Sequence, residues 1–199
     1  MQPVAAPVPA PRRYEGLPRY CSEFLVREAS GWTSLEQTFR HRFGWMAANS
    51  QSGFNAPRAH LSRFISPGRP NLYAEAPGPL GAPAQALAAL IDGKVDVIAL
   101  DSFYLDLLRQ HAPERVEGVR CVATTAWTPI PLLVASPDVP SPVVERLRSH
   151  LIGLEQQPAY AALLAEAGVR GFAIPDAAAY RVLEDMAREA TARGYENIR

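Results

Sequence analysis

The stretch "GKVDVIALDSFYLDLL", from Gly93 to Leu108, decides the fold class. Val95–Leu100 is an almost continuous apolar run, the mark of a strand covered on both faces. Asp101 follows at once, and "SFYLDLLRQHAP" then has the period of a helix. Upstream, "GAPAQALAALIDGK" predicts a helix with Leu87, Leu90 and Ile91 on one side, closed by Gly93 in a left-handed cap. "NLYAEAP" (Asn71–Pro77) and "RFGWMAAN" (Arg42–Asn49) predict short strands, the second followed by a helix with Leu61 and Phe64 inward. Thr33 and Glu36 have capping-box spacing for a short helix. Tyr20–Glu28 predicts a strand with Phe24 and Val26 on one face. The prolines of residues 2–19 favour extended or polyproline-like chain.

Downstream, "VRCVATTAW" and "IPLLVAS" predict strands. Helices follow: one over "SPVVERLRSHLIGL", capped by Ser141 with Pro142 in first position, then "PAYAALLAEAG" and "DAAAYRVLEDMAREATARG". A short strand at Gly171–Ile174 interrupts them. Strand–helix alternation makes the class α/β with a largely parallel sheet. The helical tail is expected to pack on a separate part of the structure.

Composition narrows the function. The chain has 199 residues, 48% hydrophobic and 20% charged, with formal net charge +0, enough to bury a core. A balanced charge argues against a nucleic-acid binder. No stretch reaches transmembrane length, and "MQPVAAPVPAPRRYEG" does not read as a signal peptide. Cys21 and Cys121 lack metal or redox spacing; they read as buried thiols, with a disulfide or reactive role as the alternative. His41, His60, His111 and His150 are scattered, and no metal, cofactor or catalytic motif is present. Only Glu75, Asp101 and Tyr104 offer candidate catalytic groups, Glu75 and Asp101 as a possible carboxylate pair.

Ligands of α/β sheets bind where strands feed helices. Three such places stand out. The first is "NSQSG", Asn49, Ser50, Gln51, Ser52 and Gly53, which opens a helix with Pro57 in its first turn. It reads either as a plain cap or as an oxyanion cradle of hydroxyls and unpaired N–H groups, with Gly53 admitting the ligand. The second is "PGPLGAP" (Pro77–Pro83), a rigid turn or a pair of backbone donors at Leu80 and Gly81. The third is Asp101, a helix cap or a ligand acceptor. Tyr104 and Trp127 are core residues or cleft walls.

In order along the chain, the motifs are Ser30-Gly31-x-x-Ser34-Leu35, then Ser50-x-Ser52-Gly53 with Pro57-Arg58, then Ala89-Leu90-x-x-Gly93-x-Val95-Asp96-x-x-x-x-Asp101. The tail adds Gly171-Phe172-x-x-x-Asp176-x-x-x-Tyr180. This series resembles the substrate-binding proteins of phosphate, phosphite and phosphonate ABC importers, of the type 2 periplasmic-binding-protein fold. The resemblance runs from about Phe24 onward. It implies a non-enzymatic solute-binding protein: two α/β lobes joined by crossing strands, with an oxyanion held between them. Ser50, Gln51 and Ser52 with the helix N-terminus would hold it; Asp101 would face its other end. It implies no cofactor or metal, an ABC permease as partner and a periplasmic location, whereas the sequence as written, lacking a signal peptide, would stay in the cytoplasm. A cytoplasmic ligand-sensing module, or an enzyme of this fold such as a pyrimidine-precursor synthase, is the alternative.

Two positions depart from the family. Gln51 stands where many members have Thr, keeping a donor of different shape, and Gly81 stands near where many carry His. Family members also have a further N-terminal stretch, which ends about where this sequence begins. Residues 25–128 are therefore expected to form the complete lobe, and 1–24 with 129–199 a partial one. A partial lobe should expose apolar surface and self-associate.

Overall fold

In the computed structural model, which describes residues 1–199, the strands are β1 (Gln2–Pro9), β2 (Arg19–Tyr20), β3 (Ser22–Arg27), β4 (Phe43–Gly44), β5 (Val97–Asp101), β6 (Val119–Thr124), β7 (Thr128–Pro129), β8 (Leu133–Ala135) and β9 (Val169–Ala173). The helices are α1 (Ala56–Leu61), α2 (Pro83–Ile91), α3 (Ser102–His111), α4 (Ser141–Ile152), α5 (Ala161–Glu166) and α6 (Arg181–Ala192). The chain forms two units, Met1–Tyr20 with Trp127–Tyr180, and Cys21–Ala126 with Arg181–Arg199.

The larger unit is built on a four-stranded sheet in the order β4-β5-β3-β6. Its central strands are apolar over Phe24–Val26 and Val97–Leu100, while the buried Glu23 of β3 is paired with Arg109. Phe24, Val26, Val97 and Ala99 point into one core, with Phe43, Leu61, Tyr195 and Ile198. Leu25, Ile98 and Leu100 point into the other, with Leu87 and Leu90 of α2 and Leu105 and Leu108 of α3. Successive strand residues face opposite sides, so this alternation gives three layers: α1 and the C-terminal segment, the sheet, then α2 and α3. Ile91 is 48% exposed, not inward as expected, because the α2 stripe that meets the sheet runs through Ala86, Leu87 and Leu90.

The sheet is not largely parallel. Only β4 and β5 run together; β3 is antiparallel to both β5 and β6. Helices cover both faces, so continuous apolar character marks burial here and not strand direction. "NLYAEAP" is not a strand. It lies beside Arg42 through a single bridge at Glu75, with the Leu72 and Tyr73 side chains buried. The short helix in "TSLEQT" begins one residue later than the spacing suggested. Gln37 Oε1 accepts from the Thr33 and Ser34 N–H groups at 2.7 and 3.1 Å. The helix α4 starts one residue earlier than expected, with Ser141 inside it and Pro140 at the cap.

The smaller unit has a three-stranded antiparallel sheet in the order β8-β1-β9. The Pro-rich β1 is a strand rather than polyproline chain. Gln2–Ala5 pair with β8 and Ala6–Pro9 with β9, so each half has one ladder partner. A strand half with one open side tolerates residues that cannot donate, which admits Pro3, Pro7 and Pro9. The helix α4 covers this sheet through Val144, against Val4 and Ala5. The last helix, α6, belongs to the larger unit and packs on α1, whereas the sequence reading grouped residues 129–199 together.

No helix is long and apolar enough to cross a membrane. Neither cysteine is in a disulfide; Cys21 is buried as expected, but Cys121 is exposed on β6. Desolvation, then the charge of Glu23, pushes the Cys121 thiol up to about 11, away from a reactive thiolate.

Candidate functional site

Ser50 ends the loop that leaves β4 and starts a continuous helical stretch. Gln51–Asn55 wind as a π-turn that runs directly into α1. Ser50 Oγ accepts from the Gly53 N–H at 3.0 Å. The cap reading of this loop is therefore realised, and it does not use up the hydroxyl: an accepting Ser still has its own proton to donate. The N–H groups of Gln51 and Ser52 belong to the first turn, where no intrahelical acceptor exists. Asn49 is exposed, and Ser50, Gln51 and Ser52 are half-buried. Strand β5, which ends in Asp101, lies against this turn.

Several expected site residues have other duties. Gly53 is buried, and a side chain there would collide with Met46; its glycine is required by packing rather than by ligand approach. The Leu80 N–H donates to the Trp45 carbonyl at 2.9 Å and the Gly81 N–H to the Met46 carbonyl at 3.0 Å. Both backbone donors of "PGPLGAP" are thus spent on extending the β4 edge. Gly81 has φ +85, a conformation that favours glycine. Gln51 turns away from the loop mouth. Its Oε1 accepts from Asn55 Nδ2 at 2.7 Å and its Nε2 reaches Met186 Sδ of α6 at 3.5 Å.

Asp101 is the N-cap of α3, its Oδ1 accepting from the Phe103 and Tyr104 N–H groups at 2.7 and 3.0 Å. Tyr104 packs at the edge of the core formed by α2 and α3. Glu75 and Asp101 do not meet. Glu75 sits opposite Arg42, beside the start of β5, and Asp101 ends β5; five strand residues separate those levels by about 16 Å. Trp127 belongs to the smaller unit, where Arg19 lies over its ring at 4.6 Å and Tyr14 meets it edge-on at 5.5 Å. Arg19 and Trp127 line a concavity of about 370 Å³ together with Ile174 and Tyr180.

Three quoted motifs prove to be structural devices. Ser30 Oγ donates to the Arg27 carbonyl and accepts from the Trp32 N–H, while Gly31 takes φ +72, so Ser-Gly makes the turn after β3. Asp96 receives Arg42 through both oxygens, each at 2.8 Å, and Arg27 at 3.2 Å. The Arg42 hydrogen bonds hold its carboxyl down to about 2. Arg58, of the Pro-Arg pair, is buried. It donates to the carbonyls of Ala187, Tyr195 and Glu196 at 3.1–3.2 Å and so ties α1 to α6 and the segment after it. Burial lowers its pKa from the ordinary arginine value. Asn55 carries no functional expectation from sequence, and Arg58 only as half of the Pro-Arg pair; their i, i+3 spacing at the start of α1 is the signal that links them.

The sequence matches the family profile described as ABC transporter, phosphonate, periplasmic substrate-binding protein, over residues 1–180. Among solved structures it is similar to XAC2383 of Xanthomonas citri, with 24% identity, TM-score 0.66, and 97% of this chain against 71% of that one. It is similar to a binding-protein component of a phosphonate ABC transporter from Pseudomonas aeruginosa, with 20% identity, TM-score 0.76, and 96% of this chain against 64% of that one. A third is PhnD1 of Prochlorococcus marinus, solved with methylphosphonate, with 17% identity, TM-score 0.74, and 96% against 72%. At these identities the likeness is one of fold, and the chain spans only 64–72% of these relatives. A search of curated protein sequences finds no significant match. The family comprises transporter binding proteins rather than enzymes. The fold and the profile together place the chain in the family of phosphonate ABC transporter substrate-binding proteins.

Proposed function

We propose that this chain binds a small tetrahedral oxyanion, phosphate or a phosphonate, at the Ser50–Ser52 turn, as the solute-binding part of an importer whose permease is its partner. One observation carries the reading: Ser50 and Ser52 stand with the Gln51 and Ser52 N–H groups in the first turn of one helical start, where a helix supplies no acceptor, against β5. Such a start concentrates donors and partial positive charge, which suits an anion. Gln51 is no longer counted among the direct donors. Asp101, the last residue of β5, is assigned to the far end of the ligand, where a hydroxyl or amine would meet a carboxylate.

Isothermal titration with phosphate, phosphite, methylphosphonate and 2-aminoethylphosphonate tests the proposal. Binding of at least one is expected, and folded protein that binds none of the four defeats it. Ser52→Ala is the cleanest variant, since Ser50→Ala also removes a cap. It should weaken binding by about 1.5–3 kcal/mol, the usual range for a hydrogen bond to a charged group.

A further inference from the structure

A π-turn is uncommon and needs something to hold it. In this turn the Asn55 N–H bonds to the Ser50 carbonyl at 3.0 Å, and the Ala56 N–H bonds to that of Gln51. The side chains brace the same residues. Asn55 Nδ2 donates both to Gln51 Oε1 at 2.7 Å and to the Leu183 carbonyl of α6 at 2.9 Å. Gln51 Nε2 is directed at Met186, one turn further along α6. Two amides thus stitch the first turn to a helix more than 120 positions away in sequence.

We infer that Gln51 and Asn55 are positioning residues for the oxyanion turn: they fix its winding from α6 and do not touch the anion. The inference rests on the reading of Ser50–Ser52 as the anion site. The stitch sets the direction of the Gln51 and Ser52 N–H groups and of the Ser52 hydroxyl, all of which must converge on one small ligand. A displacement of a fraction of an ångström misaligns them together. Gln51 contributes its carbonyl oxygen as an acceptor to this stitch, and an acceptor is what Thr at that place is too short to supply to Asn55.

The acceptor role separates this from direct contact. Gln51→Glu keeps an oxygen for Asn55 Nδ2 but removes the amide donor and adds negative charge. With phosphate and methylphosphonate as titrants, Gln51→Glu is expected to stay within about fivefold of the parent protein, the cost of one screened charge. Gln51→Leu and Asn55→Ala should each lose about tenfold in affinity, the equivalent of one hydrogen bond. The double variant should lose no more than either single. Loss beyond about a hundredfold in Gln51→Glu with affinity unchanged in Asn55→Ala would show the amide on the anion and overturn the inference. Hydrogen exchange at Gly53, Asn55 and Ala56, whose N–H groups carry the bonds of the turn, reads the stitch without any ligand. Coupled acceleration in the two single variants supports it, and additive effects overturn it. Should the parent protein bind neither titrant, the anion reading and with it the positioning role fall, while the exchange cycle still decides whether the stitch exists.

Discussion

Asp96 shows how much one carboxylate can organise. It gathers Arg42 and Arg27 at the entry of β5 and also accepts from the Arg42 N–H at 3.1 Å. Its carboxyl is depressed to about 2, mainly by the Arg42 hydrogen bonds. A depressed acid stabilises the fold above its unfolded pKa near 4 and loses that contribution as pH falls toward 2. The contribution at neutral pH is about 1–2 kcal/mol, allowing for solvent screening of the guanidinium side. Asp96→Asn is therefore expected to lower unfolding free energy by that amount at pH 7 and to converge on the parent protein near pH 2. Denaturant titrations at the two pH values check this; an equal deficit at both would refute the assignment. The Val-Asp of the family motif thus marks an ion-pair node and not a ligand contact.

At the scale of elements, Arg58 joins α1 to α6 and the residues that follow it. Arg58→Met keeps the stem but leaves the Tyr195 and Glu196 carbonyls without their donor. It should cost about 2–4 kcal/mol, in the range for breaking a buried hydrogen-bond cluster, with hydrogen exchange accelerated first over residues 187–199. Unchanged stability in that variant would mean the carbonyls find water instead. The elements whose period was strong were legible in sequence: β5, α3 and most of α2 follow directly from "VDVIAL" and the stripes beside it. Strand direction was not legible, because helices on both faces impose the same apolar run on parallel and antiparallel strands. The direction of the Gln51 side chain was hidden for a related reason. An amide in a Ser-rich loop has donors enough for an anion, and only the arrival of α6, from the far end of the chain, turns it aside. The spending of the Leu80 and Gly81 N–H groups on the β4 edge was equally invisible, since it depends on a partner more than thirty residues away.

At the scale of the molecule, the smaller unit carries an uncovered edge. Its β8 pairs only with β1, and its successive residues Leu133 and Val134 are 46% and 49% exposed. Successive residues face opposite sides of a strand, so both sheet faces are bare there. Leu163 of α5 adds another exposed apolar side chain, at 59%. Unpaired apolar edges promote strand-to-strand association. Sedimentation velocity should find the chain self-associating as concentration rises, and Val134→Lys should shift it toward monomer. A parent chain that stays monomeric throughout would remove the basis for this expectation.

The division of the larger unit between Cys21–Ala126 and Arg181–Arg199 has a consequence for how the molecule reaches its native state. Tyr195 and Ile198 complete the core around Phe24 and Leu61, yet they follow the whole of the second stretch of the smaller unit. During synthesis the sheet can assemble before α6 exists, with that flank still wet. Closing it requires a contact across more than fifty intervening residues, and such late, non-local closure slows folding and prolongs exposure of the half-built core. The order of emergence from the ribosome therefore makes α6 late to lock, and the Ser50–Asn55 turn, stitched to it, among the last places to take its final winding.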